Sequence, residues 1–452
     1  MLRAYAFVTR AFQTGLIDTD KKSLLVVGGG STGMTVALTA ADLGVDTTVI
    51  ERRRDLVFRL AECPTRDVDP TLYDWPADHW RSGRFPIAGA TMPLPWDRGL
   101  ANDVAGQWRR ELAARATGKG SNPKVIRGAW PVLVPKGKPP APDEDGLTWV
   151  TVEKDDGTNH RIPCGALVSC VGWHEEITGI EGSAFKGVPF WNEDRLQEPL
   201  RTEDGRVPSV LISGGGDGAL QDLIRIATNL SAREVIEGLV ALGGEVAEHL
   251  ERCRNDLKYH EDVAQRALTW GMEERHDDPV LERLERAHEA AVARLEGSPA
   301  WDGIQHGIRG MLVTPLPRIT LAHSRPAFTQ CYALNRFLAL LILKVAGDGV
   351  TRLRKARVDA VVAQEGHACT GRPSDCHLKP HAVTLKVDGK VRDPEVFDVI
   401  VLRFGLDADR SLFIDVPARV RHLLPYFIEP DGQGSRPRPA KAREPRGAKV
   451  EA

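Results

Sequence analysis

Three glycines, Gly28, Gly30 and Gly33, stand in G-x-G-x-x-G spacing between the apolar run Leu24 to Val27 and a stretch, Met34 to Leu43, with apolar residues at helical intervals. A strand, a tight turn and a helix in that order can hold a pyrophosphate. The first glycine permits the turn, the second lets backbone approach the phosphates, and the third lets helix and strand pack closely. Ser31 and Thr32 lie inside the turn, where the helix N-terminus offers N–H donors and positive potential. Glu51 follows a β-branched run, Thr47 to Ile50, about 20 residues on, where a carboxylate can accept from a ribose hydroxyl. Arg52 adjoins it and can reach a phosphate or an adenine, although Arg52 to Arg54 also reads as a solvated charge run.

A second set, Gly214, Gly216 and Ala219, repeats the pattern after the apolar run SVLIS, with alanine at the tolerant third place. Its second strand is predicted at RITLAHSR and ends in Arg325 with no acidic residue, which suits a 2′-phosphate. A surface charge is the plain alternative for Arg325. Tyr73, Asp74, Trp75, His79 and Trp80 form an aromatic, partly ionisable cluster that either covers a ligand or packs on the core; Tyr73 and His79 are the candidate catalytic side chains. His367, Cys369, Cys376, His377 and His381 carry zinc-ligand atoms, but their spacing is not that of paired zinc ligands, and no metal is expected.

These residues need an α/β frame: a Rossmann-like unit at the first turn and a second Rossmann-like unit at the other, with a helical insertion. The expected boundaries are an N-terminal helix over 1–22, a first unit over 23–208 and a second built from 209–230 and 312–365. The first unit contains an irregular Trp/Pro-rich loop, a helix over Asn102 to Arg115 and a small β-meander. Residues 231–311 read as the helical insertion, with Leu281, Leu284, His288, Ala291 and Leu295 on one face of a helix opened by Asp278 and Pro279. Strands over 366–430 close the units, and 431–452, rich in Pro, Gly and charge, reads as a disordered tail.

With 452 residues the chain is long enough for two or three domains. Sixty basic against 62 acidic side chains give a formal net charge of -2, which disfavours nucleic acid and anionic membrane as partners. No apolar run is long enough to span a bilayer and no signal-peptide core is evident, so a cytoplasmic location is expected. Seven cysteines without a C-x-x-C pair suit reduced thiols.

GGGSTG with VIER, GGGDGA and AHSRPAF together resemble the two-dinucleotide-fold flavoproteins, the superfamily of thioredoxin-reductase-like enzymes and flavin-dependent monooxygenases. ALVSCVGW and VIVLRFG are similar to the strands that close the family's two nucleotide units. The resemblance implies FAD at the first turn, NADP(H) or NAD(H) at the second, and hydride transfer to a small organic substrate or oxygen. VPSVLISGGGD is also similar to the family's flavin-contacting segment, so Asp217 belongs to either cofactor. Without a C-x-x-C pair, electrons are not expected to leave through a dithiol, and the family's carboxy-terminal Gly-Asp motif is missing. Two other readings stay open. One is an oxygen-using amine or amino-acid oxidase that ignores nicotinamide; the other is a non-catalytic dinucleotide-binding protein whose insertion docks a partner. Self-association is also compatible with the sequence.

Overall fold

The computed structural model describes residues 1–19, 23–87, 92–117, 122–132, 143–144, 146–171, 176–196, 198, 200–267, 278–364 and 376–405. The expected tail, the rest of the segment after Gly405, and His367 with Cys369 lie outside them. Helix α1 (Leu2–Gln13) buries Ala4, Val8 and Ala11, one face at helical spacing, against α2 (Ser31–Asp42). Strand β1 (Leu24–Val27) is buried at every position. It lies between β2 (Thr47–Glu51) and the later strand that closes the sheet, so both of its edges are paired, as in the interior of a parallel sheet. Helix α2 stops where Gly44 adopts φ +84°.

The chain then runs through a Trp/Pro loop containing a short helix, α3 (Pro70–Asp74), with Asp69 as its N-cap, and through α4 (Ala101–Thr117). Strand β3 (Lys124–Arg127) adds to β2. An antiparallel meander follows: β4 (Ala129–Pro131), β5 (Thr148–Lys154) and β6 (Asn159–Cys164). Strand β7 (Ala166–Ser169) then returns beside β1, giving a parallel sheet in the order β7-β1-β2-β3. The predicted meander thus has two parallel strands at its margins.

The same plan is built a second time. Strand β8 (Ser209–Ser213) leads into α5 (Asp217–Thr228). After four further helices the chain forms β9 (Arg318–His323). Those helices are α6 (Ala232–Ala241), α7 (Gly244–Ala267), α8 (Asp278–Glu296) and α9 (Trp301–Met311). Helix α10 (Ala333–Ala346) and strand β10 (Val350–Arg354) follow. A meander of β11 (Ala356–Ala363), β12 (His381–Val387) and β13 (Glu395–Phe397) precedes the closing strand β14 (Val399–Leu402). The sheet order is β10-β9-β8-β14, all parallel. Strand β12 alternates buried and half-buried residues because an antiparallel meander has only one face on the core.

The insertion is folded onto the rest of the chain. Leu250, Cys253 and Leu257 of α7, Leu281, Leu284, Ala291 and Leu295 of α8, and Ile304 and Ile308 of α9 are buried. Most of these join one apolar cluster with Phe337 of α10 and with Trp75 and Trp80 of the Trp/Pro loop. Arg254 and Lys258 of α7 reach Asp78 of that loop, at 3.1 and 2.8 Å. The predicted apolar face of α8 is therefore an internal face.

Between the two units lies a buried cluster of charge that the sequence reading missed. Arg66 of the first unit meets Asp222 of α5 at 2.8 Å and also Asp194 of the connecting segment. Arg225 bonds both carboxylates at 3.1–3.2 Å, and Arg403, just after β14, bonds Asp222 at 2.7 Å. The Arg66 guanidinium lies 3.6 Å from the Phe190 ring centroid. Burial raises the Asp222 carboxyl, but Arg403, Arg66 and Arg225 outweigh it and hold the group well below the usual carboxylate range. A folded-state value below the unfolded one makes the contribution present above the unfolded carboxylate pKa and lost as pH falls. Arg66→Met should therefore cost about 3–5 kcal/mol at neutral pH in urea unfolding, because two buried carboxylates lose a partner. The gap between wild type and variant should shrink in unfolding curves taken below pH about 4; a pH-independent gap would contradict the ion-pair account.

Candidate dinucleotide sites

At the first turn, Gly28 has φ +107°, and a Cβ there would lie 2.3 Å from the Cys170 carbonyl oxygen. A Cβ on Gly33 would come within 1.9 Å of Gly28 O. Both positions are closed to any side chain. Gly30 differs: among the described residues nothing lies within 4 Å of the place its Cβ would take, at the N-terminus of α2. The Glu51 carboxylate accepts from Gly29 N and, at 2.7 Å, from Arg53 N. It is thereby fixed at the end of β2 with lone pairs left for a hydroxyl donor. The geometry suits the diphosphate and ribose of a dinucleotide, with phosphates against the α2 N-terminus between Gly30 and Gly33 and a ribose hydroxyl on Glu51. Ser31 and Thr32 form the first turn of α2, and Arg52 is exposed beside Glu51.

The second turn has the same skeleton. Gly28 N donates to Ile50 O and Cys170 N to Val27 O; Gly214 N donates to Ala322 O and Arg403 N to Ser213 O, at 2.7–2.8 Å in all four cases. Gly214 has φ +153°, with the Arg403 carbonyl 2.3 Å from a hypothetical Cβ. This superposition of roles sets Gly216 opposite Gly30, Asp217 opposite Ser31 and His323 opposite Glu51. Because β8 pairs with β9 and β14, Asp217 belongs to the second unit.

Differences appear in front of this turn. Thr329 N donates to Gly215 O, and Thr329 Oγ1 lies 3.1 Å from where a Gly216 Cβ would be. Asp217 accepts from Tyr332 N at 2.7 Å and from Asn335 Nδ2 at 2.9 Å, so it anchors the start of α10. Burial pushes its carboxyl up to about 6. His323 accepts from Arg352 Nε at 2.9 Å; burial, then Arg352 and Arg354, push it down to about 3, so it is a neutral imidazole. Arg325 is engaged by Asp278 of the insertion at 3.0 Å.

The remaining candidates are scattered. Tyr73 sits edge-on to Tyr332, with ring centroids 4.7 Å apart, and so faces the second unit. Trp75 stacks on Phe337. His79 lies 3.5 Å from Asp74, whose carboxyl burial raises to about 6 although His79 opposes the shift. The structure brings neither Tyr73 nor His79 into hydrogen-bonding contact with a residue of the first glycine turn. Among the described residues no group of three or more His, Cys, Asp and Glu is poised for a metal, and Cys376 instead contacts His381 Nε2 at 3.5 Å. No described helix is long and apolar enough to cross a membrane.

The family model described as pyridine nucleotide-disulphide oxidoreductase matches residues 5–67, the segment holding the first turn. None of the curated proteins searched matches the sequence. Among solved structures, the chain is similar to a bacillithiol disulfide reductase from Bacillus cereus at 12% identity and TM-score 0.44, covering 87% of this chain and 80% of that one. It is also similar to thioredoxin reductase from T. acidophilum, at 12% identity and TM-score 0.41 over 87% and 79% of the two chains. A third similarity is to ornithine hydroxylase from Pseudomonas aeruginosa, at 12% identity and TM-score 0.37 over 85% and 83%. The segment matched by the pyridine nucleotide-disulphide oxidoreductase model contains the first glycine turn, and the strand, glycine turn, helix and parallel closing strand of that unit are built a second time in the same chain.

Proposed function

We propose that the protein is a FAD-dependent oxidoreductase in which NADPH or NADH at the second turn reduces a flavin held by the first, for use on a small organic substrate in a reductase or monooxygenase reaction. The observation that carries this reading is the open first turn: Gly30 faces free space while Gly28 and Gly33 are sterically closed and Glu51 is locked beside them. Bound FAD supplies the redox chemistry. The chain supplies binding and orientation: α2 directs N–H groups at the phosphates, Glu51 accepts from the ribose, and Asp217 fixes the loop at the second turn. Six cysteines in the described residues are free thiols, and burial pushes Cys170, beside the first turn, up to about 12, so it is a poor electron carrier.

An oxygen-using oxidase that ignores nicotinamide is a second reading. It is favoured by Thr329 lying over the second turn. Purified protein should be yellow, and anaerobic NADPH or NADH should bleach it; a colourless protein that takes up no FAD contradicts the flavoprotein reading. Yellow protein inert to both nucleotides but reoxidised after reduction by an amine selects the oxidase. Gly30→Ala should melt like wild type yet bind FAD at least about tenfold more weakly, or about 1.4 kcal/mol. Gly33→Ala, whose Cβ meets Gly28 O, should instead lower stability by about 1–3 kcal/mol. Equal FAD affinity in Gly30→Ala and wild type would remove the phosphate assignment.

A further inference from the structure

The end of β9 is where the second unit would meet the adenosine ribose, because His323 occupies the place that Glu51 holds in the first unit. Three arginines converge there: Arg325 just beyond β9, and Arg352 and Arg354 on β10, two residues apart and so on one face of the strand. Taken alone they would form a receptor for a 2′-phosphate. They are not alone. Helix α8 of the insertion presents Asp278, Glu285 and Glu289, spaced seven and then four residues apart and hence along one helical stripe. Asp278 pairs with Arg325 at 3.0 Å and Glu285 with Arg352 at 2.9 Å. Arg354 bonds Glu289 and lies 3.2 Å from Glu285. Glu285 also accepts from Phe328 N, which ties α8 to the loop after β9.

Three carboxylates cancel three guanidiniums, and the neighbouring His323 is neutral. A 2′-phosphate, bringing about two negative charges, would have to displace carboxylates that stay nearby. A ribose 2′-hydroxyl needs only an acceptor, which a carboxylate of Asp278 or Glu289 can supply. From this geometry we infer that the acidic stripe of α8 determines cofactor choice, making the second unit selective for the dinucleotide without a 2′-phosphate, NAD(H). The inference reverses the preference for NADP(H) that Arg325 alone suggests, and it rests on the proposed nicotinamide site at the second turn.

The test is calorimetric titration of the full chain with NAD+ and NADP+ under saturating FAD, which keeps the first turn filled. Wild type should bind NAD+ at least about tenfold more tightly than NADP+. Asp278→Asn combined with Glu289→Gln should move that ratio toward NADP+ by about tenfold or more, mainly by tightening NADP+. Both side chains are partly exposed, and Glu289→Gln alone should shift the ratio the same way if the double variant does not fold. Wild-type preference for NADP+, or an unchanged ratio in a folded variant, overturns the inference while leaving the nicotinamide site standing. Binding of neither nucleotide to wild type overturns both.

Discussion

The close approach of a closing strand to a glycine turn constrains both halves of this molecule. In each unit the last strand delivers a carbonyl, from Cys170 or Arg403, to a point 2.3 Å from where a Cβ would sit on the first glycine. Only hydrogen fits. That requirement fixes Gly28 and Gly214, sets the register of β7 and β14 beside the central strands, and aims α2 and α5 so that their N-termini face the carboxyl edge of a parallel sheet. The edge is where α/β sheets bind ligands, since strand ends, loop backbone and helix dipoles meet there.

From a shared skeleton the two turns diverge through what the chain places in front of them. At the first, the space before Gly30 is open and a carboxylate waits at the end of the second strand. At the second, Thr329 approaches Gly216 and a neutral histidine stands in place of the carboxylate, while the carboxylates that pair with Arg325, Arg352 and Arg354 come from an inserted helix. The buried Arg66–Asp194–Asp222–Arg225–Arg403 cluster holds the halves together. Three guanidiniums against two carboxylates in a buried setting are costly to separate, so this contact opposes relative motion of the units.

Much of this was legible. Glycine spacing between an apolar run and a helical pattern located both turns, and the apolar runs Leu24–Val27 and Val399–Leu402 read as strands, which the structure pairs in parallel with their neighbours. The apolar face of α8 was readable to the residue, from Leu281 to Leu295. Its acidic stripe was equally periodic, but its partners Arg352 and Arg354 lie far along the chain and only the fold brings them within reach. The interface cluster was invisible for the same reason: Arg66 and Arg403 have ordinary local sequence contexts and become a pair only around Asp222. Tyr73 and His79 illustrate the converse. Their aromatic neighbourhood left ligand cover and core packing both open, and Trp75 and Trp80 pack into the core shared with α10 and the insertion.

Amide hydrogen exchange of the full chain, with and without FAD, tests the central claim most directly. The account predicts that FAD slows exchange at Gly30 to Gly33 and along the start of α2, and leaves Gly216 to Ala219 unchanged until NADH or NADPH is added. Protection by FAD of the second turn, or of neither, would contradict it.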